Sequence, residues 1–140
     1  MRAVIDTNTL LRLATGGQRS LLFRHWRARR FELLMSLATL TELRTVLARP
    51  DVQRYVPEPL GTAFAALVEQ RAILVQPDLS APTCRDPQDS ALIATAVGGR
   101  ADYLVTTDPD LLDDPGLIEA LAGRGVRLLR PPVFLTQLAS

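Results

Sequence analysis

Five short apolar runs recur along the chain, at 2–6, 31–36, 72–76, 103–107 and 126–130. Between them, apolar side chains return every three or four positions. That period predicts helices over 9–14, 19–30, 39–48, 59–71, 87–97, 109–112, 115–122 and 133–138. Gly16-Gly17, Pro50, Gly98-Gly99 and Gly123 fall near the helix ends, where breakers belong. A polar loop is expected over 77–87. Strand-like runs alternating with helical patterns predict a central, mostly parallel five-stranded sheet covered by helices. No internal repeat, low-complexity tract or linker interrupts the series, so residues 1–140 read as one domain.

Where the apolar runs stop, acids follow. Asp6 ends the first run, Glu42 lies just past the second, Asp89 lies beyond Cys84-Arg85-Asp86-Pro87-Gln88, and Asp108 follows the fourth. In open α/β sheets, ligands bind outside the carboxyl ends of the strands. Acids gathered at that edge repel one another unless a cation sits among them, so the set reads as a metal site. Each acid also has a local alternative. Asp6 can cap the helix after the first strand, and Glu42 can close a capping box begun by Thr39. Asp86 and Asp108 each precede a proline suited to a first helical position, which puts Asp89 in a first turn. Capping, however, is served as well by Ser, Thr or Asn. Hard cations such as Mg²⁺ or Mn²⁺ specifically want oxygen ligands and carboxylate charge. The two readings are compatible, because a capping carboxylate can also face an ion.

Composition narrows the alternatives. The chain is 47% hydrophobic, but too often interrupted to hold a membrane span of about 20 apolar residues. No secretory signal pattern opens it, and its single cysteine, Cys84, excludes an internal disulfide; the cytoplasm is the expected compartment. All 16 basic residues are arginine, which excludes a Walker-type phosphate loop and Schiff-base chemistry. The net charge of +1 is unevenly spread. Residues 1–71 carry 11 arginines against 6 acids, and residues 72–140 carry 5 against 9. Arg19, Arg24, Arg27, Arg29 and Arg30, with Trp26, form a basic stretch. It is either a solvated face or a contact for RNA or an acidic protein segment. His25, the only histidine, lies in that stretch away from the acids, which argues against histidine-dependent RNA cleavage.

Taken together, the motifs resemble the PIN domain family, the fold of VapC-like toxins of bacterial toxin–antitoxin pairs. The resemblance covers nearly the whole chain. It opens on Val4-Ile5-Asp6-Thr7-Asn8-Thr9-Leu10 and continues with Ser36 six residues before Glu42. Arg85-Asp86-Pro87-Gln88-Asp89 and Thr106-Thr107-Asp108-Pro109-Asp110 supply the third and fourth blocks, and Leu128-Leu129-Arg130-Pro131-Pro132 resembles the closing segment. Gln88 stands where one subgroup of the family often has another Asp, and β-branched Thr107 stands where Gly is common.

The resemblance implies a three-layer α/β/α fold and a metal-dependent endoribonuclease. It carries catalytic roles onto Asp6, Glu42, Asp89 and Asp108, with Asp6, Asp89 and Asp108 as ligands of one or two Mg²⁺ or Mn²⁺ ions. Asn8, Ser36 and Thr106 match supporting polar positions, and Asp86 and Asp110 are additional acids. An RNA substrate, a small antitoxin protein and a homodimer are implied in the same way. Two other readings compete. A haloacid dehalogenase-type phosphatase needs a second Asp where Asn8 stands, and a lysine the chain lacks. A non-catalytic RNA- or protein-binding module would be expected to lose acids that this chain keeps.

Overall fold

The computed structural model describes residues 1–139. Five strands, β1 (Arg2–Ile5), β2 (Glu32–Met35), β3 (Ile73–Leu74), β4 (Tyr103–Val105) and β5 (Arg127–Leu129), lie in the order β3-β2-β1-β4-β5. Each pairing between neighbours is parallel, with Ala3 opposite Leu33 on one side of β1 and Tyr103 on the other. The chain first builds outward from β1 to β3. It then crosses back to lay β4 on the opposite side of β1, so the connections reverse direction between β1 and β4. That reversal opens a crevice at the carboxyl ends of the two strands.

The strands read as continuous apolar runs because both of their faces are covered. Ala3, Ile5, Leu33, Met35, Val105 and Leu129 belong to one buried cluster, whereas Val4, Leu34 and Leu104 belong to the other. The first cluster is completed by α1 (Thr7–Gly16), α2 (Leu21–Arg27), α3 (Leu37–Leu47), the single turn α4 (Pro50–Gln53), α5 (Glu58–Arg71) and the last helix, α9 (Pro131–Leu138). The second is completed by α6 (Pro87–Gly98), α7 (Pro109–Leu112) and α8 (Pro115–Ala122). The result is the three-layer α/β/α arrangement. No helix among the described residues is long and apolar enough to cross a membrane.

Three local departures from the sequence pattern have physical causes. The predicted helix 19–30 is shorter: residues 17–19 make a 3₁₀ turn, Ser20 caps α2 through its side chain, and α2 ends at Arg27. Arg29 then turns with φ at 58°, which reverses the chain into β2. Pro50 begins α4 instead of merely ending α3, since proline suits a first helical position. Strand β3 keeps only two residues because it is an edge, with Leu74 65% exposed.

Candidate active site at the carboxyl edge of the sheet

The four acids named from the sequence arrive at this edge on different elements. Asp6 follows β1 and caps α1; Asp108 follows β4 and caps α7; Asp89 lies in the first turn of α6; Glu42 lies on α3. Together with Asp86, Asn8, Thr7, Gln88, Thr107 and Arg49 they line one cleft of about 540 Å³.

Asp6 is the fixed point. It is 7% exposed, and both of its oxygens are engaged. Oδ1 accepts the Thr9 N–H at 2.8 Å, and Oδ2 accepts the Thr106 hydroxyl at 2.6 Å and the Thr107 N–H at 3.2 Å. The Thr106 hydroxyl oxygen in turn accepts the Asp108 N–H at 3.0 Å. A buried threonine thus ties the end of β1 to the acid at the end of β4. Ser36 has the corresponding role at the end of β2. It is fully buried, caps α3 in a reciprocal box with Thr39, and lies 2.8 Å from the Thr95 hydroxyl on α6. Ser36 therefore couples the helix bearing Glu42 to the helix bearing Asp89. The capping box belongs to Ser36 and Thr39, so Glu42 is left free of it.

The electrostatics are those of uncompensated negative charge. Burial, a hydrogen bond shared with Asp108, and the charges of Asp108, Asp86 and Asp6 push Asp89 up to about 7. Two carboxylates can share a hydrogen bond only if one holds a proton. Burial likewise raises Glu42 above the usual carboxylate range, against a hydrogen bond from Thr7 and with help from the charges of Asp86 and Asp6. Arg49 lines the cleft, but its guanidinium is forked onto Asp51 at 3.2 and 2.9 Å.

Among the described residues, no three acids are drawn together closely enough to grip an ion. Several instead turn onto helix N-termini: Asp108 accepts the Asp110 N–H and Asp86 the Gln88 N–H, each at 2.9 Å. The donor chemistry nevertheless suits a hard divalent cation. The donors are oxygens, and a proton on Asp89 occupies the place that positive charge would otherwise fill.

The remaining sequence candidates separate. Asn8 is exposed on the cleft wall. Asp110 lies outside it, in an adjoining depression with Cys84, Arg85, Asp86, Asp89 and Asp114. Arg27, Arg29 and Arg30 precede β2, at the amino edge of the sheet and opposite the acids; Arg71 joins them by donating to the Arg27 carbonyl at 3.3 Å. Arg19 and Arg24 are exposed along the same segment. His25 neighbours Arg24 and Arg30, and burial followed by their charges lowers its pKa. Cys84 is half-buried, its N–H held by Ser90 at 2.9 Å.

Sequence reasoning passed over Thr7, Arg49 and Arg12. Helical spacing offers a partial signal for Arg12, four residues after Asn8 on α1, whereas Arg49 lies past the end of α3 and beyond the reach of that spacing.

Comparison with known proteins agrees with this architecture. The chain is similar to VapBC2 from Rickettsia felis, solved bound to a DNA fragment from their promoter. Identity is 14%, the TM-score is 0.57, and the match covers 93% of this chain and 98% of that one. It is similar also to VapBC-1 from nontypeable Haemophilus influenzae, at 14% identity and a TM-score of 0.55, covering 91% and 96%. At that identity the likeness establishes the fold. No curated protein matches the chain by sequence. The PIN domain family profile, however, matches residues 2–110, which include all four acids. The chain belongs to the PIN domain family.

Proposed function

We propose that the protein is a divalent-metal-dependent endoribonuclease, the toxin of a toxin–antitoxin pair, acting in the cytoplasm. The observation that carries the reading is the convergence of Asp6, Glu42, Asp89 and Asp108 on one cleft, with Asp89 pushed up to about 7 by burial and by its neighbours Asp108, Asp86 and Asp6. Such a cleft repels a phosphodiester unless its sign is reversed, so an acid set of this kind makes chemical sense as the seat of Mg²⁺ or Mn²⁺. Asp6, Asp89 and Asp108 would hold one or two ions. When bound, such an ion supplies positive charge to the phosphate and acidifies water at the site.

The chain's own groups do the rest. Thr106 orients Asp6 through its hydroxyl and Asp108 through its oxygen. Glu42, with its raised proton affinity, accepts a proton from the attacking water. Ser36 and Thr95 keep Glu42 and Asp89 in register across the cleft. Asn8 offers the RNA a polar contact, while Asp86 caps α6, Asp110 sits in the first turn of α7, and both add negative charge. The VapBC assemblies among its structural relatives support a small protein partner. The exposed arginines at the amino edge suit acidic segments of such a partner, and a homodimer follows from the family resemblance.

The test is cleavage of single-stranded RNA by the purified protein. Activity that needs Mn²⁺ or Mg²⁺, disappears with chelator and falls at least 100-fold in Asp6→Asn is the expected result. RNA left intact by the wild type, or cut equally by Asp6→Asn, contradicts the reading.

A further inference from the structure

A second depression, of about 330 Å³, adjoins the acidic cleft and shares Asn8 and Thr107 with it. Its other lining residues are Leu11, Arg12, Thr15 and Tyr55. Positions 8, 12 and 15 form one stripe of α1 at four- and seven-residue spacing. Leu11, 4% exposed, forms the floor. Tyr55, just past α4, is 52% exposed and lies within electrostatic reach of Arg49. Among the described residues Arg12 makes no ion pair, so its guanidinium is available to a ligand.

Two depressions that adjoin the cleft differ in sign. On one side, the adjoining depression carries Asp86, Asp89, Asp110 and Asp114 against the single cation Arg85. On the other, the lining contains Arg12 and Tyr55 and no carboxylate. A polyanion engaged at the acids is repelled toward the second side. There it meets an exposed ring beside a guanidinium, the combination that binds unpaired nucleotides by stacking and phosphate contact.

We infer that Tyr55 and Arg12 form a subsite for one unpaired nucleotide flanking the scissile bond, Tyr55 stacking on the base and Arg12 pairing with its phosphate. The subsite makes the enzyme select single-stranded over duplex RNA, since paired bases offer no free face. This rests on the nuclease reading for the identity of the ligand.

The test is fluorescence anisotropy of a labelled, unstructured ten-nucleotide RNA on the otherwise wild-type chain, with Ca²⁺ in place of Mn²⁺ so that a cation is present and the RNA stays intact. Tyr55→Ala is expected to weaken binding about 5- to 100-fold, with Tyr55→Phe restoring it. Arg12→Ala is expected to weaken binding and reduce its salt dependence. A duplex of the same sequence should respond to Tyr55→Ala less than about twofold, because it offers no unstacked base. Equal affinity in Tyr55→Ala and its parent, an equal loss on duplex, or no RNA binding by the parent overturns the subsite. Tyr55-dependent binding by a wild type that leaves RNA uncut with Mn²⁺ or Mg²⁺ keeps the subsite and removes the nuclease reading. Metal-dependent cleavage with Tyr55-independent binding does the reverse.

Discussion

Asp89 shows most directly how the cleft stores charge. Its folded-state affinity for a proton reaches about 7, against the 3.8 of an unperturbed Asp. Because the folded pKa is raised, its contribution to stability is complete below about pH 4 and is lost as pH rises through about 7. In metal-free protein the thermal midpoint should therefore fall by several degrees between pH 5 and pH 8. Asp89→Asn should flatten most of that fall, leaving the smaller slope that Glu42 contributes in the same direction. Calorimetric scans across this interval check it, and an undiminished slope in Asp89→Asn contradicts it. At this scale the four acids were legible because each follows a run whose end the apolar pattern marks. Thr106 was legible through its motif. Thr7, Arg12, Arg49 and Tyr55 were not, because their places depend on which faces of α1 and α3, and which turn after α4, border the cleft.

The elements divide positioning from chemistry. Helix α6 carries Asp89 in its first turn, and its other end is seated against the loop that follows β3. There the Asp78 N–H donates to the Ala94 carbonyl at 2.9 Å, and a Cβ on Gly98 would lie 2.0 Å from the Gln76 carbonyl oxygen. The neighbour is backbone, so it cannot swing aside. Gly98→Ala should cost roughly 1–3 kcal/mol in urea unfolding, through a shift of α6 or of the loop. Stability equal to wild type would show that the two segments do not pack this closely. The sequence marked Gly98 only as a helix end, since close approach between distant segments leaves no local signature. The helix over the basic stretch is shorter than its apolar and basic periodicity predicts. Its arginines satisfy a helical period through Arg30, yet Ser20 and the reversal at Arg29 confine α2 to seven residues. The competing reading of the acids as caps holds in the structure for Asp6, Asp86 and Asp108. Capping and cleft-lining coincide because the helices start where the strands end.

Over the whole molecule, strand order converts scattered sequence positions into one site. Alternating apolar runs and helical patterns made the parallel sheet legible. The reversal between β1 and β4 was not, although it is what brings residues 6 and 108 together. The same topology sends the arginines of 27–30 to the far edge, leaving Arg49 on the lining of the acidic cleft and Arg12 on that of the adjoining depression. Everything proposed for the cleft requires the acid set to be a cation site. The most direct test is a calorimetric titration of Mn²⁺ into the purified protein near pH 7, in two buffers of different ionisation heat. Saturable binding that releases protons to the buffer, and is lost in both Asp6→Asn and Asp89→Asn, is the predicted result. Absence of binding, or binding unchanged by these substitutions, contradicts a cation site at these acids.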